Sequence, residues 1–229
     1  MKEHLIIALD GPAGSGKSTI AKLIAKKLNL LYLDTGAMYR AFTYIALVNN
    51  IPASDEDKVS QLITKIDLQF KKNSNNEIEI YYNKELINDK LRSPEVDKNV
   101  SIVSTFKNIR SFLVDKQREL SQNYDVILDG RDIGTVVFPK AKYKFYLDAS
   151  VEERAKRRLH DSKNKSDLTF NEIKEIINKR DHIDSNRKIG PLKKADGAIY
   201  LDTSLMPIEE VMNFIMNAIK IYWQKLWNE

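Results

Sequence analysis

The stretch that decides the fold is Gly11, Pro12, Ala13, Gly14, Ser15, Gly16, Lys17, Ser18 and Thr19. An apolar run at residues 5–10 precedes it and indicates a buried strand, and residues 17–28 show helical periodicity. Residues 11–18 fit the pattern G-x-x-x-x-G-K-[ST] without deviation. Its glycines let successive amide N–H groups point at phosphate oxygens, and the helix dipole adds to the attraction. We therefore expect a nucleoside triphosphate site, in which Lys17 reaches the β- and γ-phosphates and Ser18 ligates Mg²⁺.

Outward from this loop, short apolar strands alternate with helical patterns. Further strands are predicted near residues 30–33, 126–128, 144–147 and 198–201, and helices near 37–48, 54–65, 94–103, 109–121, 151–160, 169–184 and 207–227. The alternation predicts an α/β protein, with three layers (α/β/α) around a mostly parallel central sheet. Ligands on such a sheet bind outside the carboxyl ends of the strands.

Residues 68–84 interrupt the alternation. Short strand-like runs there flank asparagine-rich turns, which predicts a small antiparallel meander. We interpret it as an inserted lobe, although an extension at the edge of the main sheet would give the same pattern.

Composition excludes several kinds of site. The chain has 229 residues, no cysteine and three scattered histidines, so disulfides, thiolate zinc sites and a cysteine nucleophile are ruled out. No apolar run approaches the ~18 residues that cross a bilayer, and no secretory signal pattern is present. We expect a cytoplasmic protein with no membrane partner.

The basic residues are unevenly distributed. Lysine supplies 27 of the 37 and arginine only 10, eight of which fall in the segments discussed below. Where a chain otherwise favours lysine, arginines in such places suggest forked recognition of oxyanions.

Other classes of P-loop protein fit poorly. The guanine-reading pattern N-K-x-D of GTPases occurs at residues 164–167 and 178–181, but neither copy follows a buried strand. A helicase-like ATPase would need a larger chain. The arginines favour a kinase for an anionic acceptor.

Two segments at predicted strand ends carry groups that suit phosphate. Thr35 follows the second strand and Arg40 lies one turn into the next helix, so a hydroxyl and a guanidinium can meet one acceptor phosphate; a surface salt bridge is the alternative for Arg40. Asp129 follows the most apolar strand, where it could act on Mg²⁺ through water, and Arg131 would point at phosphate. Asp132 could take part in the same site, or it could equally cap its loop.

Two predicted helices present arginines on one face. Arg154, Arg157 and Arg158 stand at i, i+3 and i+4, which suits a lid that closes over a triphosphate. Arg180, Asp184 and Arg187 share a face of the next helix. They could hold the sugar and phosphate of a substrate, or form a structural ion-pair ladder.

Together these motifs resemble the bacterial cytidylate kinases, a family of nucleoside monophosphate kinases. The matching stretches are residues 10–19, 33–40, 129–139, 145–150 and 180–187, and the run GRDIGTVVFP is far more specific than the P-loop. The resemblance implies transfer of the ATP γ-phosphate to CMP or dCMP. It also implies that Thr35, Arg40 and Arg131 hold the acceptor phosphate, that Arg180 and Asp184 contact the ribose, and that the cytosine is read by Ser101 and Arg110, with Arg187 and Asp132 beside them.

The resemblance further implies a single kinase domain over residues 1–229. Its core would span about 1–60 and 104–229, its acceptor-binding insert about 61–103 and its lid about 155–170. We expect Lys17, Arg131, Arg154 and Arg158 to stabilise the transferring phosphoryl group. We also expect a monomer that binds no nucleic acid. A kinase for another small acceptor and a nucleic-acid-stimulated ATPase are the alternatives.

Overall fold

A computed structural model describes residues 4–160 and 168–226, with side chains described as far as Lys220. The strands are β1 Ile6–Asp10, β2 Leu31–Asp34, β3 Leu68–Lys72, β4 Ile78–Tyr82, β5 Glu85–Leu86, β6 Val126–Gly130, β7 Tyr143–Asp148 and β8 Ile199–Asp202. The helices are α1 Lys17–Leu28, α2 Thr35–Val48, α3 Glu56–Lys65, α4 Pro94–Val103, α5 Lys107–Ser121, α6 Val151–His160, α7 Phe170–Asn186 and α8 Ile208–Leu226.

The central sheet has five parallel strands in the order β2-β6-β1-β7-β8. Each strand carries an aspartate at its carboxyl end: Asp10, Asp34, Asp129, Asp148 and Asp202. The register aligns these ends, since Asp34 pairs with Asp129 and Asp148 with Asp202. One edge of the sheet therefore gathers five carboxylates, and the loops that follow them build the site.

Two hydrophobic cores cover the two faces of the sheet, which confirms the predicted three layers. On one face α1 and α8 bury Ile24 and Ile215 against the strands. On the other face α2 and α5 bury Phe42 and Leu113, together with α4. Both faces of β1 are buried because the strand lies in the middle of the sheet, which explains its unbroken apolar run.

The antiparallel meander forms a sheet of its own, in the order β3-β4-β5, rather than an extension of the main sheet. Its first turn nevertheless meets the edge of the main sheet, where the Tyr32 amide donates to the Asn76 carbonyl oxygen at 2.8 Å. The Asn76 side chain also donates to Asn29 at 2.6 Å. The insert is thus anchored beside the end of α1.

Several predicted boundaries differ from the structure. Helix α2 begins at Thr35 rather than 37, because the Asp34 carboxylate caps it by accepting from the Ala37 amide at 2.9 Å. A five-residue π-helical turn at Ile133–Val137 and a 3₁₀ helix at Asn88–Arg92 were not predicted. Helix α7 continues past residue 184 to Asn186.

None of the helices in the described ranges is long and apolar enough to span a bilayer.

Candidate active site

The P-loop wraps around the space above β1. Gly11, Gly14 and Gly16 all adopt positive φ angles, at 145°, 80° and 88°. A side chain at Gly11 would strike the backbone of Leu147 on the neighbouring strand, so this position also needs the absence of a Cβ. The loop leads into α1 at Lys17, which places the free amides at the start of that helix beside the loop.

The Lys17 side chain folds back over the loop. Its Nζ donates to the Pro12 carbonyl oxygen at 2.6 Å and to Ser15 Oγ at 3.1 Å, and the residue is only 4% exposed. Burial, followed by the nearby charge of Arg131, lowers the pKa of Lys17 well below its ordinary value. Lys17 is thus a desolvated cation that an anion in the loop would stabilise.

Ser18 and Asp129 join the loop to the end of β6. The Ser18 hydroxyl donates to Asp129 Oδ2 at 2.5 Å, and the Tyr32 hydroxyl donates to Oδ1 at 3.0 Å. Burial, and next the charge of Asp34, raise the pKa of Asp129 to about 6 from an ordinary value of 3.8. A hydroxyl and a carboxylate so close together are the hard oxygen donors that Mg²⁺ prefers. Within the described residues no cluster of three or more His, Cys, Asp or Glu side chains could hold a metal by itself.

Asp10 supports the loop after β6. Its two carboxylate oxygens accept from the amides of Ile133 and Gly134 at 2.8 and 2.7 Å. Burial raises the pKa of Asp10 to about 6, although these two amides act in the opposite direction. The carboxylate therefore holds the π-helical turn that follows Asp132 against β1.

Next to this turn, five charged side chains form a buried series of ion pairs in which positive and negative groups alternate, which we call the ladder. They are, in spatial order, Arg110, Asp132, Arg187, Asp184 and Arg131. Arg110 pairs directly with Asp132, and Arg187 Nη2 lies 3.3 Å from the other oxygen of Asp132. At the other end Arg131 Nε donates to Asp184 Oδ2 at 3.0 Å. The ladder runs from the α5 side of the site to the P-loop side.

The Arg110 end of the ladder is buried. Arg110 is 1% exposed, donates to the Ser104 carbonyl oxygen at 3.0 Å, and stacks its guanidinium 5.5 Å from the centre of the Tyr39 ring. Its buried Nε has no hydrogen-bond partner among the described residues. Ser101, on α4, is also buried, and its carbonyl oxygen accepts from Ser104 Oγ. Arg110 thus keeps one donor free.

Thr35 and Arg40 both have partners within the protein. The Thr35 hydroxyl donates to the Asp129 carbonyl oxygen at 2.7 Å. Arg40 donates from Nε and Nη2 to one oxygen of Asp97, at 3.2 and 3.1 Å.

Arg180, on α7, differs from these two residues, because its buried Nε has no hydrogen-bond partner in the described part of the chain. Burial, and then the charges of Arg40 and Arg131, lower the pKa of Arg180 to about 9.

The three arginines of α6 share a helix face, but they reach different partners. Arg154 is buried and donates to the Ala13 carbonyl oxygen of the P-loop at 3.1 Å and to Asp181 at 2.6 Å. Arg157 donates to the carbonyl oxygen of Thr203 at 2.5 Å. Arg158 donates to Asp97 at 3.2 Å. Much of the predicted lid, with the N-K-x-D copy at 164–167, lies outside the described residues; the second copy lies within α7, where Asp181 pairs with Arg154.

Comparison with known proteins agrees with this geometry. The family model described as cytidylate kinase matches residues 7–221. The chain belongs to the cytidylate kinase family. It is 48% identical over 219 residues to a cytidylate kinase of Fusobacterium nucleatum, covering 95% of this chain and 98% of that protein.

Two further comparisons concern the whole length and the fold. The chain is 46% identical to a bifunctional pantoate ligase/cytidylate kinase of Prochlorococcus marinus (strain MIT 9312), where the match covers 95% of this chain but only 43% of that protein. A crystal structure of a gluconokinase from Sinorhizobium meliloti superimposes with a TM-score of 0.51 at 11% identity, covering 98% of this chain and 95% of that one. The second comparison shows the shared fold. The chain is thus a kinase with an α/β/α P-loop architecture.

The structure adds four residues to those expected in this kinase site. Asp10, Tyr32, Asp97 and Asp181 hold the predicted groups in place. Asp10 lies at the end of a predicted strand, which was a usable signal. Asp181 lies in the matching stretch 180–187, although nothing in that stretch indicates its partner Arg154. Tyr32 and Asp97 have no such signal, because each lies in an ordinary strand or helical pattern and meets its partner only after folding.

Proposed function

We propose that this member of the cytidylate kinase family transfers the γ-phosphoryl group of ATP to CMP or dCMP, giving ADP and CDP or dCDP. The observation that carries the proposal is the buried ladder from Arg110 to Arg131, which ends beside Lys17. A base and sugar held along the ladder would bring their phosphate to Arg131, opposite a triphosphate in the P-loop.

Cytosine fits the Arg110 end of the ladder. Its O2 and N3 are acceptors and its amino group is a donor. Arg110 keeps an unpartnered buried Nε, and Asp132 supplies carboxylate oxygens beside it. A site built from buried polar groups rejects a ligand that leaves them unpaired. Arg110 and Asp132 therefore support binding of a pyrimidine base that carries an amino group, as cytosine does.

Lys17 and Arg131 would supply positive charge around the transferring phosphoryl group. Arg131 lies close enough to Lys17 for its charge to lower the Lys17 pKa, and Arg154 donates to the Ala13 carbonyl oxygen of the loop. Ser18 and Asp129 would hold Mg²⁺, which supplies neutralisation of the β- and γ-phosphate charge when it is bound. The acceptor phosphate is already anionic, so this chain needs no strong general base. Its residues act by positioning and by charge stabilisation.

A panel of acceptors tests the proposal. ADP release with MgATP is measured for CMP, dCMP, UMP, AMP, dTMP and shikimate. We expect the largest kcat/KM for CMP or dCMP, and a clear preference for another acceptor would overturn the assignment. If RNA or DNA stimulated ATP hydrolysis while CMP did not, the rival nucleic-acid-stimulated ATPase would replace it.

The cytoplasmic location, the monomeric state and the lack of a nucleic-acid partner remain predictions. Light scattering coupled to gel filtration tests the monomer directly, since a dimer would elute at about twice the 26.4 kDa chain mass.

A further inference from the structure

Asp97 joins two arginines from helices that are far apart in the sequence. It lies on α4, while Arg40 belongs to α2 and Arg158 to α6. One Asp97 oxygen accepts from Nε and Nη2 of Arg40, and the other accepts from Nη2 of Arg158 at 3.2 Å. One carboxylate thus connects the acceptor side of the molecule with the helix that leads to the lid.

The three side chains are shielded from solvent. Asp97 is 18% exposed, Arg40 12% and Arg158 24%. Burial opposes ionisation of Asp97, yet the charges of Arg40, Arg180 and Arg158 lower its pKa below its ordinary value. Exposed ion pairs contribute little, but a pair in this setting is screened less and holds its geometry better.

The carboxylate occupies the same donors that a phosphate would use. Guanidinium groups bind carboxylates and phosphates through the same N–H edge. Arg40 turns its Nε–Nη2 edge entirely toward Asp97, and Arg40 is the residue expected to hold the acceptor phosphate. A phosphate that enters must take this edge from Asp97 or share it.

We propose that Asp97 is an internal competitor of the acceptor phosphate: it occupies Arg40 and Arg158 in the ligand-free enzyme and thereby weakens acceptor binding. The inference rests on the proposed function, because it takes CMP as the acceptor. The apparent affinity for a ligand is proportional to the fraction of molecules whose site is free to bind it. Asp97 is therefore a positioning residue that sets acceptor affinity and makes no contact with the reacting atoms.

The test compares Asp97→Asn with the matched variant Glu95→Gln in the full chain. Both remove one negative charge from α4, but Glu95 is exposed and its carboxylate accepts from the Asn99 side chain at 3.5 Å. Calorimetry measures the Kd for CMP and for cytidine, which lacks the phosphate, and steady-state assays give kcat and the CMP KM. We expect Asp97→Asn to lower the CMP Kd and KM at least threefold, with the cytidine Kd unchanged.

Three results would overturn the inference: unchanged or weaker CMP binding by Asp97→Asn, an equal gain for cytidine, or an equal gain in Glu95→Gln. Asp97→Ser, a second neutral variant, must change the CMP Kd in the same direction, which keeps the test valid if the asparagine variant folds poorly. Wild-type protein assayed alongside separates the two claims. If wild type does not phosphorylate CMP, the proposed function fails; if it does and Asp97→Asn gains nothing, only the role of Asp97 fails.

Discussion

The hydroxyl of Ser18 donates to the Asp129 carboxylate at 2.5 Å, although the two residues are 111 positions apart in the chain. This contact ties the first turn of α1 to the end of β6, in the middle of the sheet. It also leaves an ionisable carboxylate fully buried, with a pKa raised to about 6 mainly by that burial. The geometry that suits a metal-bound triphosphate is thus unfavourable for the free protein.

We predict that Asp129→Asn makes the protein more stable and much less active at pH 7. A folded-state pKa of about 6 against 3.8 unfolded means that the folded protein resists losing this proton. The unfolded chain loses this proton above about pH 4 and the folded protein only above about pH 6, so Asp129 destabilises the fold increasingly between these values and to the full extent above them. Two pKa units correspond to about 3 kcal/mol, so the variant should gain about 2 kcal/mol in free energy of unfolding at pH 7.

The pH dependence of the free energy of unfolding tests the sign of this effect. The gain should shrink as pH falls from 6 to 4, because the carboxylate then becomes protonated in the unfolded chain as well and the difference between the two states disappears. Urea unfolding at pH 4, 5, 6 and 7 measures this, with exposed Asp115→Asn as the control. At pH 7 kcat should fall about a hundredfold, because the triphosphate would lose its precise position. A variant less stable than wild type at pH 7 would contradict the prediction.

We predict that Lys17→Ala removes most turnover without lowering the melting temperature. Lys17 is desolvated beside Arg131, so its loss relieves an unfavourable charge in the ligand-free protein. Loss of the charge should lower kcat by about a thousandfold, as for one preorganised donor to a transition state. Lys26→Ala, also on α1 but exposed, is the control. Turnover near the wild-type rate would remove Lys17 from the mechanism.

We predict that Asp184 affects the acceptor and not the donor. Asp184 lies between Arg131 and Arg187, and their charges, with that of Arg180, lower its pKa although burial opposes this. Asp184→Ala leaves buried cations uncompensated and should cost about 3 kcal/mol of stability. Asp184→Asn keeps the shape and serves for kinetics, where the CMP KM should rise at least tenfold while the ATP KM stays within twofold. Glu175→Ala, exposed on the same helix, is the control. An unchanged CMP KM in Asp184→Asn would exclude Asp184 from acceptor binding.

The local patterns of the chain were enough to predict the elements and the donor loop. The P-loop, the buried β1 and β6 strands and the amphipathic helices follow from residues adjacent in sequence, because periodicity and glycine content act locally. The same reasoning brought Asp129 and Arg131 to the carboxyl edge of the sheet, since a parallel sheet aligns its strand ends. Whether Thr35, Ser101 and the lid arginines act as expected stays a prediction.

What depends on contacts between distant helices was beyond sequence reasoning. Asp97 reads as one of several charges on α4, and its partners come from α2 and α6. The three α6 arginines share a face, but their long side chains diverge to the P-loop, to Thr203 and to Asp97. The π-helical turn after Asp132 is held by Asp10, 123 residues before it.

We propose that the P-loop and the arginine ladder hold two nucleotides in line for direct transfer of the phosphoryl group. Incubation with Mg²⁺, ATP labelled at the γ-phosphate and CMP tests it most directly, since the position of the label reports the acceptor. We predict that the label appears in CDP, and that Lys17→Ala forms little of it. Label released only as inorganic phosphate, with no labelled CDP, would contradict the account.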